Sequence, residues 1–206
     1  MNMNEQLKKV VFATGNPSKI KRFSKGLLKN NIELLSLKDL NIDLDILENG
    51  ASAIDNALIK ARACFEQTKL PSIGMDDTLY LENVPTTQQP GLFVRRVNGK
   101  TLNDEEMIEH YINLVKEYGH EGKLNCKWVY GLAVIDEFGK ESTYTWEKAN
   151  FYMVEERSSK INPGYPLNSI SKYKRLDKYF TEVTEEEIER LTESEEHVIN
   201  FIKDHI

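Results

Sequence analysis

Apolar residues cluster into short runs and stripes along the chain, and their spacing predicts alternating strands and helices. Lys8–Thr14, KKVVFAT, reads as a buried strand. From Asn16 to about Lys29, Ile20, Phe23, Leu27 and Leu28 recur on one side of a helix. Ile32–Leu35 is a second short strand, and the acidic, alternating Asn41–Glu48 fits either strand or loop. Ala51–Lys69 is the clearest helix, with Ile54, Leu58, Ala61 and Phe65 near one stripe, and Pro71 follows it. SIGM then leads as an apolar strand into Asp76-Asp77 at its end, and TLYLEN reads as another strand.

NDEEMIEHYINLVKEYG is a helix whose first turn carries Asp104, Glu105 and Glu106, acids that suit the positive end of the helix dipole. From Cys126 to Glu156 the pattern predicts two long strands joined near Asp136–Lys140, where EFGK suits a hairpin. Residues 161–180 look irregular, and TEEEIERLTESEEHVINFIKDHI reads as one terminal helix. There is no internal repeat or linker, so residues 1–206 read as a single domain. The fold class is α/β, of the mixed α+β kind, with a long central hairpin.

The chain has 206 residues, 40% of them hydrophobic, enough to bury a core. Its formal net charge of -6 argues against a duplex nucleic-acid partner, which calls for a basic footprint. No apolar run approaches the ~20 residues of a membrane helix, and MNMNEQLKK lacks a signal-peptide core. These features predict a cytoplasmic protein with no membrane or nucleic-acid partner. Cys64 and Cys126 stand far apart and read as two free buried thiols.

The candidate chemistry begins at Thr14-Gly15-Asn16-Pro17-Ser18-Lys19. Asn16 suits a helix N-cap and Pro17 the first helical position. Gly15 lets a ligand approach the backbone, the first-turn N–H groups favour an anion, and Lys19 adds a point charge. A plain capped turn and a phosphate cradle both satisfy this stretch. Glu48 precedes the second helix. Asn56 and Lys60, four apart, share a helix face away from the apolar stripe. Asp76 and Asp77 can hold Mg²⁺ or orient a water, or form a solvated turn. Gly99-Lys100-Thr101 imitates the end of a P-loop, but Val94 stands where that motif needs glycine, so Asn98–Lys100 reads as a turn.

Taken in order, ATGNPSK (13–19), ENGASAIDNALIKA (48–61), MDDTL (75–79) and PGLFVRR (90–96) resemble the inosine/xanthosine triphosphate pyrophosphatase family. Thr14, Gly15, Asn16, Lys19, Glu48, Asn56, Lys60, Asp76, Asp77, Pro90, Gly91 and Arg96 fall on its motif positions. Asp55 stands where Glu is usual. Gly164-Tyr165 matches part of a later motif, which here reads PGYPL without its aspartate. Ile188 and Thr192-Glu193-Ser194 replace a closing lysine and a Ser-His-Arg.

The resemblance implies an elongated fold with a central mixed sheet, two lobes flanked by helices, a cleft between them, and a homodimer. It implies Mg²⁺-dependent hydrolysis of a nucleoside triphosphate to monophosphate and pyrophosphate. Deaminated purines such as those of ITP, dITP and XTP are the family's usual bases. The implied catalytic residues are Asp77, Asp76 and Lys19. Thr14, Gly15, Asn16, Lys19, Asn56, Lys60, Arg96 and Tyr165 would bind substrate, and Glu48 and Asp77 the metal. The alternative on the same fold is a nucleotide-binding protein that does not hydrolyse.

Overall fold

A computed structural model describes residues 7–191 and 195–206. In chain order the elements are β1 (Lys8–Phe12), α1 (Pro17–Leu28), β2 (Ile32–Ser36), α2 (Ala53–Thr68), β3 (Ser72–Leu81), β4 (Arg96–Val97), β5 (Lys100–Thr101) and α3 (Asp104–Tyr118). There follow β6 (Lys123–Ile135), β7 (Glu141–Val154), β8 (Ser171–Tyr173), α4 (Glu185–Leu191) and α5 (Glu196–Asp204). Six strands form one sheet in the order β2-β1-β3-β6-β7-β8. It is mixed, because β1 runs parallel to β2 and β3 while β8 runs antiparallel to β7. Long β6 and β7 meet at a turn in which Asp136 N donates to Lys140 O, the hairpin that the pattern predicts.

The chain divides into two compact units. The first comprises Met1–Asp77, Tyr130–Trp146 and Ser194–Ile206. Here the sheet is covered on both faces, which is why β1 reads as an unbroken apolar run. Val10 and Phe12 pack with Phe23 and Leu27 of α1 and with Val198, Ile199 and Ile202 of α5. Val11 and Ala13, on the other face, pack with Cys64 of α2. The buried stripe of α2 is Ala53, Ala57, Ala61 and Cys64, while Ile54 and Leu58 lie beside it, half-buried. Small residues win because this helix approaches the sheet closely. A Cβ on Gly74 of β3 would lie 1.9 Å from Ala57 O, and one on Gly131 of β6 would lie 2.5 Å from Ala53 C.

The second unit, Thr78–Val129 with Glu147–Glu193, has its own core. Leu79 and Leu81 pack there with Ile108, Tyr111 and Val115 of α3 and with Phe151 and Met153. Asn103 and Glu106 form a reciprocal capping box at the start of α3. The Asn98–Lys100 turn joins β4 to β5, with Asn98 and Gly99 both at positive φ, as a tight hairpin requires. Cys64 and Cys126 are buried free thiols, and burial pushes Cys126 up to about 12.

Three expectations need correction. Asp76 and Asp77 do not end a strand: SIGM and TLYL are one ten-residue strand, β3, with both acids inside it. Residues 161–180 are not wholly irregular, because Ser171–Tyr173 adds the edge strand β8. The stretch after Thr184 is not one helix: α4 belongs to the second unit and α5 to the first. Thr192-Glu193-Ser194 lie outside the described residues. Among the described residues no helix is long and apolar enough to cross a membrane.

Candidate active site

The loop from β1 to α1 folds as its capping chemistry dictates. Thr14 Oγ1 accepts from Asn16 N at 3.1 Å, and Asn16 Oδ1 accepts from Ser18 N at 2.9 Å. Asn16 is the N-cap and Pro17 opens the helix, as read from the sequence. These caps satisfy two of the amides that an anion would otherwise attract. The surface left for a ligand is therefore Gly15 together with Lys19. A Cβ on Gly15 would meet nothing within 4 Å, and its φ is not in the left-handed region. Neither packing nor backbone conformation calls for glycine there, so the open space faces outward.

Strand alternation then separates the two adjacent acids. Ile73 and Met75 of β3 pack on the face that carries α1 and α5, and Gly74 abuts α2 on the other. Asp76 follows Gly74. Its Oδ2 accepts from Asn56 Nδ2 at 2.8 Å, and its Oδ1 lies 3.3 Å from Lys60 Nζ, both residues of α2. Asp77 faces α1, where its Oδ1 accepts from Lys19 Nζ at 2.5 Å. One strand thus carries a carboxylate to each flanking helix.

On the α2 side, Lys60 also binds Glu48, Nζ to Oε2 at 2.9 Å. Lys60 is the most sheltered of these charges, with 12% of its side chain exposed, and it draws Glu48 and Asp76 to one cation. Asn56 is buried and spans the same group: its Oδ1 accepts from Gly50 N at 2.8 Å while its amide holds Asp76. It braces the 48–50 loop against β3. Its shared face with Lys60 is directed at carboxylates rather than at water.

Seven of the sequence-predicted residues, Thr14, Gly15, Asn16, Lys19, Asn56, Lys60 and Glu48, therefore lie on the two loops and helices that flank Asp76 and Asp77. The implied metal ligands Glu48 and Asp77 are held by different lysines, and the carboxylate beside Glu48 on Lys60 is Asp76. Arg96 and Tyr165 belong to the second unit. There the Arg96 guanidinium lies 4.9 Å from the Phe93 ring centroid, and Tyr165 N donates to Asn162 O. Among the described residues, no group of three or more His, Cys, Asp or Glu side chains is assembled to hold a metal. The nearby donors are all carboxylate oxygens, which suit a hard cation such as Mg²⁺ that completes its shell with water and phosphate.

Sequence reasoning missed Arg22, Tyr130 and Glu195. Arg22 lies one turn beyond Lys19 on α1, and that spacing is the only local signal. Its Nε donates to both carboxylate oxygens of Glu195 at 2.8 Å, and its Nη2 also reaches Oε1. Burial opposes the Arg22 charge, yet Glu195, Tyr130 and Asp77 together hold the guanidinium above its ordinary value. Burial pushes the Tyr130 phenol up as well, with Asp77 and Glu195 adding to the rise against Arg22.

The Ham1 family model matches residues 10–197. The chain is 29% identical over 182 residues to a dITP/XTP pyrophosphatase of Leptospira interrogans, covering 87% of each chain. It is 30% identical over 184 residues to a dITP/XTP pyrophosphatase of Wigglesworthia glossinidia brevipalpis, covering 88% of each. Its fold resembles the Ham1 protein of Staphylococcus aureus with a TM-score of 0.73, at 19% identity and over 96% of this chain and 97% of that one. The motifs, the fold and the match across most of its length agree that the chain belongs to the Ham1 family.

Proposed function

We propose that this protein is a Mg²⁺-dependent nucleoside triphosphate pyrophosphatase that splits its substrate into monophosphate and pyrophosphate. The observation that carries the reading is Lys19, set one turn from open Gly15 and ion-paired to Asp77. A cation, a carboxylate and an uncrowded backbone meet where a triphosphate would enter. The relatives named dITP/XTP pyrophosphatases support deaminated purines as the base.

Lys19 and Lys60 hold three carboxylates between them. A triphosphate offers both lysines a more highly charged partner. Their transfer to phosphate releases Glu48, Asp76 and Asp77. Asp77 then orients and deprotonates the water that attacks phosphorus, and the bond to the pyrophosphate leaving group breaks. Base catalysis of this kind contributes ~10²–10⁴-fold. Glu48 and Asp77 would hold the Mg²⁺, with Asp76 beside Glu48 on Lys60. When bound there, the ion would supply stabilisation of the charge that develops on the phosphates. The working form is a cytoplasmic homodimer, as the resemblance implies.

The test is pyrophosphate release from a panel of nucleoside triphosphates with and without Mg²⁺. Inosine, xanthosine and deoxyinosine triphosphates would sit beside the four standard nucleotides. Multiple turnover on a deaminated purine, lost on chelation, is expected. Silence across the panel from folded protein would overturn the reading. Mg²⁺ titration of Asp76→Asn and Asp77→Asn then assigns the metal, since the variant lacking a ligand needs more Mg²⁺ for half-maximal rate.

A further inference from the structure

We propose that Arg22 is a positioning residue, which with Glu195 clamps α5 to the first turns of α1 and so fixes Lys19 and Asp77 for the reaction; this rests on the function proposed above. Glu195 stands immediately before α5 and is held through three hydrogen bonds by the Arg22 fork. The guanidinium also lies over two rings, 4.9 Å from the Tyr130 centroid and 5.1 Å from that of Phe23. Tyr130 in turn stacks on Trp146 at 4.9 Å, and Tyr144 stacks on Phe201 of α5 at 5.0 Å. The Arg22 end of α1 is thus held by charge and by rings at once.

Three residues earlier on the same helix face, Lys19 reaches Asp77. Lys19, Arg22, Asp77 and Glu195 form a neutral set of two cations and two anions. A shift of α1 along its axis would break both pairs together. A bidentate fork resists such a shift because two parallel bonds fix direction as well as distance. Lysine can supply the charge at position 22 but not the fork, nor the broad guanidinium that lies over Tyr130. Misplacement by one ångström at a reacting centre costs about 10²-fold, so the clamp acts on turnover more than on binding.

Arg22→Met, Arg22→Lys and Glu195→Gln would be compared with the parent chain in steady-state kinetics and in amide hydrogen exchange over Lys19–Phe23. The expected result is a kcat reduced about tenfold or more in both Arg22 variants, with KM moved far less. Exchange of the α1 amides should accelerate about tenfold in all three. Parental kcat and exchange in Arg22→Lys would overturn the clamp, because charge alone would then suffice. Parental values in Arg22→Met would overturn any role for Arg22. If Arg22→Met fails to fold, the lysine and glutamine variants decide. If the parent hydrolyses no nucleotide, the functional reading fails by itself, and unaltered exchange in the variants would still refute the clamp.

Discussion

Lys19 and Asp77 stand 58 residues apart in sequence, yet Lys19 Nζ lies 2.5 Å from Asp77 Oδ1. The pair joins the first turn of α1 to the middle of β3. Asp77 retains 26% side-chain exposure, so the contact is sheltered but within reach of solvent. Asp77→Asn keeps the shape and removes the base. Its kcat should fall by at least ~10²-fold with the fold intact. Near-parental turnover in this variant, with a native melting curve, would remove Asp77 from the mechanism.

Gly15 separates a ligand role from a structural one. A methyl group there meets no protein atom and needs no forbidden backbone angle. Gly15→Ala should leave melting unchanged or raise stability by about 0.4–1 kcal/mol, through the entropy of the unfolded chain. The same methyl group should raise KM for the nucleotide. An unchanged KM would return Thr14–Lys19 to the status of a capped turn.

Gly74 is the opposite case. Its Cβ would lie 1.9 Å from a backbone oxygen of α2, an atom that cannot swing aside. Gly74→Ala should destabilise the protein by about 1–3 kcal/mol, the usual cost of overpacking. Because the displaced helix carries Asn56 and Lys60, activity should fall even below the melting transition. Denaturant unfolding beside an assay at low temperature would check both effects.

Arg62 binds Glu141 in a fork, Nε to Oε1 at 2.6 Å and Nη2 to Oε2 at 2.7 Å, which ties α2 to the start of β7. The hydrogen bond from Arg62 holds the Glu141 carboxyl below its ordinary value. A depressed folded-state value means that the pair stabilises above the ordinary carboxylate range and fades as pH falls through that lowered value. The pair is exposed, so the gain is below about 1 kcal/mol. Glu141→Gln should melt slightly below the parent at pH 7, and the gap should close in acid. A gap that widens in acid would contradict the assignment.

The legible parts of the site were those fixed by local chemistry. The caps at Thr14 and Asn16 depend on neighbours two residues away, and the helix of Lys60 on its own periodicity. Asp76 and Asp77 were visible as acids, but not as acids for two different helices. That division depends on β3 continuing past them, and a polar pair in mid-strand looks like an end. The small-residue stripe of α2 was hidden because alanine carries little periodic signal, and its partners are glycines on other strands. Edge strand β8 has only three residues, too few for alternation to show. Arg22 and Glu195 lie 173 residues apart, beyond any local rule.

The first unit draws on three separated stretches of the chain, and α5 belongs to the last of them. A ribosome releases these stretches in sequence, so Lys19 and Asp77 emerge long before Glu195 exists to meet Arg22. Until then the face of β1 and α1 that α5 covers, with Val10, Phe23 and Leu27, has no lid. The nascent chain therefore carries this apolar surface uncovered until α5 has emerged, an interval in which aggregation competes with folding.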